Sequence, residues 1–508
     1  MDDAENLARQ ACLSCRKQKR KCTRGLPSCE LCRRNRRLCD YPADALRPNQ
    51  SSSSGVEGIT NCFPAIFFLD SYLFQRRRYF VSMPQVALPR EFAELLDPES
   101  GLEQLLGVYF ETVHPLFPIV SRFRLTQDVA AGADPGPDKT FLMLTIRLLV
   151  ENAAVDETAA ASLYKKAKLC YSYLEASGVI SLRVLQGLLL LSYHELANAI
   201  YPAAYLTVGV CARLGHTLGY HDRRNSPQPY STSVSWREVE EIRRTWWGVL
   251  VLDRYASLGL TGRPFSRQDA KPLDLLPMDE KSWEDGEPTV IPSLAVSADA
   301  SRPASSFTRT CQASHLLSRV LKHVNEKPTD VQTWYQEALQ LHGIVQAFTT
   351  AVSQEMRAFD RQADGTSLCR NLLPALGLCY STQLSLYDVH TCADADDTSG
   401  VGIPEQLRIQ DVSLNGMKSV CFAVVELASK IKVLPGPEVT SSVIISPLVA
   451  HCLYESAKNV LWYAQETGKT DYVAAATDIQ DCLRMIGESW AVGSRYIEIL
   501  NEDDLRLL

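Results

Sequence analysis

Residues 12–39 read CLSCRKQKRKCTRGLPSCELCRRNRRLC. The six cysteines follow one pattern twice: a Cys-x2-Cys pair, then a third cysteine seven residues later, so that the second half repeats the first. A Cys-x2-Cys pair at the start of a helix directs two thiolates toward one metal ion, and a cysteine one loop further on can complete the site. The spacing therefore predicts a small metal-stapled module with two short helices.

The number of cysteines determines how two zinc ions would share them. Two tetrahedral Zn²⁺ ions need eight ligand positions, so two of the six thiolates must bridge. The repeat points to the first cysteine of each half, Cys12 and Cys29. The terminal ligands are then Cys15, Cys22, Cys32 and Cys39. A disulfide framework is the alternative, and a reducing compartment disfavours it. Since so short a segment buries little apolar surface, zinc binding must supply its folding energy.

The charge of the chain is divided in the same way. The 508 residues carry 52 Lys+Arg and 59 Asp+Glu, a net charge of −7. Residues 9–40 hold eleven basic and two acidic side chains (+9), whereas the remaining 476 residues hold 41 and 57 (−16). Such a split is typical of a nucleic-acid-binding segment joined to an acidic body. Six thiolates and two Zn²⁺ ions together add a charge of about −2, so the net charge of the module is near +7. A module with this charge is expected to bind a polyanion, with an affinity that falls as the salt concentration rises.

The basic side chains lie between the cysteines. The stretch from Cys15 to Cys22 is predicted to be a short helix capped by Ser14, and it carries Arg16, Lys17, Gln18, Lys19, Arg20 and Lys21. The matching stretch of the second half carries Arg33, Arg34, Arg36 and Arg37. A nuclear-localisation patch is the alternative interpretation of these charges, and it is compatible with nucleic-acid binding.

Residues 12–39 resemble the binuclear zinc cluster of fungal transcription factors, which joins two Cys-x2-Cys-x6-Cys units through a short loop that commonly contains a proline, here Pro27. The resemblance implies that the first helix lies in the DNA major groove and reads a CGG-type triplet. By position it makes Lys19 the base-contacting lysine, and Gln18 stands where the family is often basic. We expect Lys19 to donate to guanine O6 or N7, and the flanking cations mainly to contact phosphates: Arg16, Lys17, Arg20 and Lys21.

The sequence predicts three regions: the zinc module (1–42), a flexible linker (43–60) and a large helical domain (61–508). The linker is rich in Pro, Ser and Gly, as flexible tethers are. Many relatives have a dimerising coiled coil here, but no a/d heptads precede Phe63. The protein therefore binds a single half-site as a monomer or forms a homodimer through the helical domain, and the sequence leaves both open.

Helical periodicity dominates after residue 60, so the fold class is all-α. Asp279–Ala304 is expected to be a long loop, and Pro374 to break or kink the helix around it. Phe63–Asp70 is expected to be an apolar anchor on the main body. The predicted helices are Leu102–His114, Thr140–Asn152, Glu157–Ala176, Leu182–Asn198, Ala203–Leu218, Trp236–Leu258, Asp330–Met356, Leu368–His390, Leu407–Val433, Pro447–Thr467 and Asp471–Leu500.

One further stretch is specific. Arg243-Arg244-Thr245-Trp246-Trp247 is followed by Leu252-Asp253-Arg254 and Gly262-Arg263-Pro264. This pattern resembles the middle homology region of the same fungal regulators, and the likeness covers about residues 100–280. We expect Trp246 and Trp247 to lie in the core. The charged residues are expected to form a helix surface or a buried ionic network: Arg243, Arg244, Asp253 and Arg254.

No enzyme motif is found. The chain has no Gly-rich phosphate loop, no H-E-x-x-H and no G-x-S-x-G. A zinc site closed by thiolates leaves no open position for catalysis. The other ten cysteines show no Cys-x2-Cys pairing and are expected to be buried small hydrophobes. His216 and His221 lack a third ligand nearby in sequence, so packing is expected rather than metal binding.

The class of protein follows from these observations. No stretch reaches the ~18 apolar residues of a membrane helix. The first ten residues are not a signal peptide, so we expect an intracellular protein. The sequence predicts a nuclear, sequence-specific regulator of RNA polymerase II transcription that binds double-stranded DNA through two Zn²⁺ ions, with a helical domain that regulates it or recruits co-regulators. Two alternatives remain: a zinc-stabilised protein-interaction module, and a metabolite receptor whose helical domain controls the DNA module.

Overall fold

The computed structural model of the chain describes residues 11–25, 28–35, 39, 63–77, 81, 83–84, 86–96, 101–130, 136–151, 157–230, 235–260, 262–285, 293–326, 330–361, 365–391, 404–434 and 444–504. The chain divides into two compact units, Met1–Ile59 and Thr60–Leu508. The predicted linker, Pro27, Arg36 and Arg37 lie outside the described residues.

The first unit contains two five-residue helices, α1 (Leu13–Lys17) and α2 (Glu30–Arg34). The second unit is built from helices of widely different length. They are α3 (Ile66–Leu69), α4 (Ser71–Arg76), α5 (Arg90–Glu94), α6 (Leu102–Thr112), α7 (Arg122–Ala130), α8 (Pro137–Glu151), α9 (Glu157–Ala176), α10 (Leu182–Ala197), α11 (Ala203–Thr217), α12 (Trp236–Tyr255), α13 (Glu280–Asp285), α14 (Ser306–Asn325), α15 (Val331–Phe359), α16 (Gly365–Thr391), α17 (Pro404–Lys432), α18 (Ala450–Thr467), α19 (Thr470–Ser489) and α20 (Val492–Asp504).

The all-α prediction is confirmed. No β-strand occurs among the described residues, which contain one isolated antiparallel bridge between Leu275 and Ala295. Short 3₁₀ turns at His114–Leu116 and Pro447–Val449 accompany the helices. No helix in the described part of the chain is long and apolar enough to cross a membrane.

Two helices form the middle of the second unit. Every residue of α10 from Arg183 to Ala197 is buried, and the helix packs against α8, α11 and α12. Helix α14 is buried along almost its whole length and packs against α12, α15 and α16. Since both are enclosed on most sides, the remaining helices are arranged around them, with α16 to α20 forming the C-terminal part of one continuous core.

Helix α14 was not predicted from the sequence, because its buried positions are not uniformly apolar. Arg309 is fully buried and forms an ion pair with Glu355 of α15. Gln312 and Ser314 are buried on the same helix. Polar side chains that find partners inside a core remove the apolar periodicity by which a helix is recognised.

Most predicted helices are found within a few residues of the expected bounds, and α9 has the expected bounds. Two differ. Helix α16 continues through Pro374, so of the two expected effects, a break or a kink, the break does not occur, and the helix packs against α14, α15, α17 and α18. The predicted helix Asp471–Leu500 is two helices, separated at Trp490, whose indole N–H donates to the Ile445 carbonyl over 2.8 Å.

The segment expected to be an apolar anchor forms a small core of its own. Phe67 and Phe74 stack edge to face with ring centres 5.0 Å apart and are buried with Val81. Tyr230 packs against this cluster, and the Val81 N–H donates to the Pro229 carbonyl over 2.7 Å. The segment after the linker is thereby attached to the loop that precedes α12.

The charged residues of helix α12 were expected to form either a helix surface or a buried ionic network, and the structure shows a buried network. Arg254 is fully buried and pairs with Asp253 and, over 2.6 Å, with Asp269. Arg244 is also fully buried, 3.1 Å from Glu240. Trp246 and Trp247 lie in the core as expected.

Candidate metal centre and basic surface

Each helix of the first unit begins at a cysteine. Cys12 caps α1 with backbone angles φ −60° and ψ 152°, and its sulfur accepts the Cys15 N–H over 3.4 Å. Cys29 caps α2 with φ −65° and ψ 151°, and its sulfur accepts the Cys32 N–H over 3.4 Å. The sequence repeat is therefore also a structural repeat. Ser14, the expected cap, lies inside α1, because the thiol rather than the hydroxyl takes the capping role.

In each half, the sulfur of the third cysteine accepts a hydrogen bond from the backbone of the first. The Cys12 N–H donates to the Cys22 sulfur over 3.5 Å, and the Cys29 N–H donates to the Cys39 sulfur over 3.2 Å. The two halves are joined by a hydrogen bond of 2.9 Å from the Glu30 N–H to the Thr23 hydroxyl. Backbone N–H groups directed at sulfur stabilise its thiolate form.

The sulfurs of four cysteines form one buried group within 4.8 Å of one another: Cys12, Cys15, Cys29 and Cys32. The sulfur of Cys12 is 3.8 Å from that of Cys29 and 3.7 Å from that of Cys32. The sulfurs of Cys15 and Cys29 are 3.7 Å apart. Four thiolates at about 2.3 Å from one tetrahedral zinc ion lie about 3.8 Å from one another. The donor set therefore fits zinc in chemistry and in spacing.

Two of the six cysteines occupy the centre of the group. Cys12 interacts with each of the other five, and so does Cys29. The outer thiols of Cys22 and Cys39 both interact with this central pair. The sulfurs of Cys12 and Cys29 therefore lie where two ions could share them.

Burial and hydrogen bonding act in opposite directions on these thiols. Burial raises the pKa of the Cys12 thiol, and it raises that of Cys29 to about 12. At Cys22 burial is outweighed by hydrogen bonds, first that from the Cys12 N–H, and the pKa falls to about 7. The pKa of Cys39 is lowered for the same reasons, with the Cys29 N–H as the leading donor. Since burial disfavours the charged form of the central pair, a cation is needed to hold both as thiolates.

The predicted DNA-contacting residues surround the end of α1 rather than lying on one helix. Helix α1 ends at Lys17, with Gln18 as its C-cap. Lys19 follows with φ +50°, in the left-handed region. The Lys19 N–H donates to the Arg16 carbonyl over 3.2 Å, and the Arg20 N–H to the Cys15 carbonyl over 3.0 Å. This is a Schellman motif in which lysine occupies the position usually held by glycine.

All six of these side chains are exposed: Arg16, Lys17, Gln18, Lys19, Arg20 and Lys21. The corresponding positions of the second half expose Arg33 and Arg34. Cations in the last turn of a helix are favoured by its dipole, and this is where both helices carry them. The first unit therefore combines a buried sulfur centre with an exposed cationic surface.

The other groups that the structure describes do not form a metal site. Among the described residues, the sulfur group is the one cluster of three or more His, Cys, Asp or Glu side chains able to hold an ion. The rings of His216 and His221 meet edge to face with centres 4.9 Å apart, and His221 hydrogen-bonds to Ser226 over 2.8 Å. The described cysteines of the second unit are buried: Cys170, Cys211, Cys311, Cys369, Cys379, Cys421, Cys452 and Cys482. Cys62 and Cys392 lie outside the described residues.

Two family profiles match the chain. The profile described as "Fungal Zn(2)-Cys(6) binuclear cluster domain" matches residues 10–48, and that described as "Fungal specific transcription factor domain" matches residues 106–358. The second match extends past residue 280, where the likeness read from the sequence ended, and includes α14. The zinc cofactor is thus shown by the family as well as by the donor set.

Curated relatives agree. Transcription factor BOA15 of Botryotinia fuckeliana is 36% identical over 180 residues, which are 35% of this chain and 98% of that protein. The pigment biosynthesis transcriptional activator pigB of Monascus ruber is 24% identical over 63% of this chain and 65% of its own length. The depudecin biosynthesis cluster-specific transcription activator DEP6 of Alternaria brassicicola is 29% identical over 42% of this chain and 35% of its own length. The chain thus covers nearly all of the first relative and less than two thirds of the other two.

The sulfur centre, the two matched regions and the relatives agree on one assignment: this chain belongs to the fungal binuclear zinc cluster transcription factors with the fungal-specific middle homology domain, a family of DNA-binding transcription regulators.

Proposed function

We propose that the first unit binds two Zn²⁺ ions through Cys12, Cys15, Cys22, Cys29, Cys32 and Cys39, with Cys12 and Cys29 bridging, and that the zinc-bound module reads DNA. The observation that carries the proposal is the repeated sulfur-capped helix, whose C-terminal end is surrounded by exposed cations. The two central sulfurs, each interacting with the other five, support the bridging assignment.

Lys19 reads bases in this proposal. Its left-handed backbone ends α1, so its side chain leaves the helix at the turn rather than along the helix flank. A left-handed conformation costs a non-glycine residue about 1–2 kcal/mol, and a lysine kept there is consistent with a role for its side chain. Lys19 donates to guanine O6 or N7 in a CGG-type triplet, and the neighbouring cations hold the phosphates.

The whole protein acts in the nucleus as a regulator of RNA polymerase II transcription and has no enzymatic activity. The second unit regulates the first or recruits co-regulators, and the protein acts either as a monomer on one half-site or as a homodimer through the second unit. Two of the relatives are named as activators of biosynthesis genes or clusters, which favours activation here as well. A reporter gene placed behind the DNA sequence that the protein prefers distinguishes activation from repression.

Site selection from a random duplex pool with the full-length protein tests this function. We expect enrichment of CGG-type triplets, with one half-site for a monomer and two at fixed spacing for a homodimer. Recovery of no preferred sequence would contradict sequence-specific binding. Competition by an acidic peptide as effective as specific duplex would favour the alternative, a zinc-stabilised protein-interaction module.

Two lysine variants, Lys19→Gly and Lys17→Ala, distinguish base reading from electrostatic attraction to the phosphates. Lys19→Gly relieves the left-handed backbone while removing the side chain, so the zinc module should remain folded. The preference for the selected triplet over a substituted one should fall by about 5- to 150-fold, as expected for loss of one base contact. The matched change Lys17→Ala should weaken both duplexes equally and reduce the salt slope by about 1. Equal loss of preference in both variants would remove Lys19 from the base-reading role.

A further inference from the structure

A cavity of about 390 Å³ lies in the second unit between α7, α8, the start of α10 and the loop 219–230. At about 30 Å³ for each water, it would hold about a dozen non-hydrogen atoms. Its size falls within the range of about 300–1,000 Å³ for small-molecule sites. One wall is apolar and is formed by Met83, Leu182, Leu218, Pro229 and Ile242.

The cavity is also lined by charged residues, and each of its carboxylates has a polar partner. Asp128 lies 2.9 Å from the Lys139 ammonium and 3.5 Å from the Arg183 guanidinium. Asp138 accepts a hydrogen bond of 2.8 Å from the Ser181 hydroxyl. Glu238 lies 3.7 Å from the Arg124 guanidinium. Asp128 and Glu238 are therefore paired with cations, whereas Asp138 is held by a neutral hydrogen bond.

Arg223 differs from the other lining cations. It lines the cavity, and within the described part of the chain its guanidinium has neither an ion-pair nor a hydrogen-bond partner. Tyr220 lines the cavity beside it, and its hydroxyl likewise has no partner among the described residues. A guanidinium and a phenol O–H are both donors suited to a carboxylate.

The loop that carries both residues is held in one conformation. Gly219 has φ +72°, and a Cβ there would lie 2.2 Å from the Gln228 amide nitrogen, so only glycine fits. The Asp222 carboxylate accepts the Arg224 and Asn225 N–H groups over 3.3 and 3.2 Å. The backbone that carries Tyr220 and Arg223 is therefore held in place before any ligand arrives, which lowers the cost of ordering the loop on binding.

We propose that this cavity binds a small carboxylate with an apolar body, with Arg223 as its counter-ion and Tyr220 as a hydrogen-bond donor. The apolar body packs against the Leu218 and Ile242 wall. Met83 and Pro229 place the ligand close to Val81 of the small core formed with Phe67 and Phe74, because the Val81 N–H bonds to the Pro229 carbonyl. All the residues that line the cavity belong to the second unit.

Calorimetric titration of the full-length protein tests the proposal with three carboxylates of increasing body size: benzoate, 3-phenylpropionate and 1-naphthaleneacetate. We expect at least one to bind and its uncharged primary amide to bind at least tenfold more weakly. Arg223→Gln should weaken the carboxylate about tenfold or more, the range for hydrogen bonds to charged groups. The matched control Arg224→Gln changes a neighbouring exposed arginine that does not line the cavity, and it should bind as the unchanged protein does.

Two further measurements make the test decisive. Tyr220→Phe removes only the hydroxyl and should weaken the same carboxylate while leaving the circular dichroism spectrum unchanged. Hydrogen exchange of the peptide containing Val81 should slow when the carboxylate is bound. The proposal is overturned if none of the three carboxylates binds, if the amide binds equally well, or if Arg223→Gln and Arg224→Gln give the same affinity.

Discussion

Glu241 of α12 offers the sharpest test of how the second unit is stabilised. Its carboxylate is fully buried and lies 2.5 Å from the Arg124 guanidinium and 3.0 Å from that of Arg183. It also accepts the Gln186 amide over 2.9 Å and the Ser121 N–H over 3.0 Å. Glu241→Gln keeps the shape of the side chain but removes its charge and turns one acceptor into a donor facing donors.

The expected loss of stability in Glu241→Gln depends on whether the two arginines that lose their partner can be solvated. Removing one member of a buried pair costs about 3–5 kcal/mol. Arg124 is 30% exposed and can be solvated, while Arg183 is only 7% exposed and keeps Asp128 at 3.5 Å. We therefore expect Glu241→Gln to lower the free energy of unfolding by about 3 kcal/mol, the lower end of that range. Glu238→Gln removes the exposed partner of the same Arg124 and should cost less than about 1 kcal/mol.

Urea unfolding followed by tryptophan fluorescence measures the difference. All seven tryptophans lie after residue 60, so the signal reports on the second unit alone. With a slope of about 3 kcal/mol per M, the midpoint should fall by on the order of 1 M. The reasoning fails if Glu241→Gln shifts the midpoint no more than Glu238→Gln does.

The pH dependence provides an independent check on the same residue. Although burial acts to raise it, ion pairing with Arg183 and Arg124 lowers the pKa of Glu241 below its ordinary value of 4.5. A depressed pKa in the folded state contributes stability above pH 4.5 that is lost as the pH falls through the folded-state value. The difference in stability between the two proteins should therefore be full at neutral pH and shrink in acid. A constant difference across that range would contradict the assignment.

Four further outcomes are expected. Cys12→Ala should release both zinc ions, whereas Cys39→Ala should release fewer zinc ions, because only Cys12 is a shared ligand. Metal analysis after gel filtration measures the zinc that each variant retains. Equal zinc content in the two variants would contradict bridging. A zinc chelator should abolish DNA binding while leaving the tryptophan unfolding curve unchanged. Gly377→Ala should destabilise the second unit by about 1–3 kcal/mol, since its Cβ would meet the Val449 Cα at 2.9 Å and the Leu448 carbonyl at 3.0 Å. Gly343→Ala meets nothing within 4 Å and should stabilise α15 by up to about 1 kcal/mol in the same urea assay.

The zinc module shows what spacing can and cannot predict. The repeat of three cysteines indicated two equivalent halves, and the caps at Cys12 and Cys29 reproduce that equivalence to within a few degrees. The cap itself was assigned wrongly to Ser14, because sulfur is a weak acceptor and is rarely considered for that role. The early end of α1 at Lys17 was also missed, since no glycine marks the left-handed residue.

In the second unit, apolar periodicity located most helices, the buried α10 among them, but not the equally buried α14. Helix α9 exposes one face to solvent, and both of its ends could be predicted from the sequence. Helix α14 was missed because Arg309, Thr310 and Ser318 are buried in it beside apolar residues. Two of these side chains have partners from distant parts of the chain: Glu355 pairs with Arg309, and Asp269 accepts from Ser318. Pairing at that sequence separation leaves no local pattern, so only the fold reveals it.

The buried cysteines of the second unit have a practical consequence. They are spread over α9, α11 and α14 and over α16 to α19, so that most of the long helices carry their own thiol. Burial raises the pKa of Cys170 and of Cys482 to about 12, so neither reacts readily with an alkylating reagent while its helix is closed. Each thiol becomes available only when its own helix opens. The rate at which each cysteine is alkylated under native conditions therefore gives a helix-by-helix measure of local opening, without any label being added to the chain.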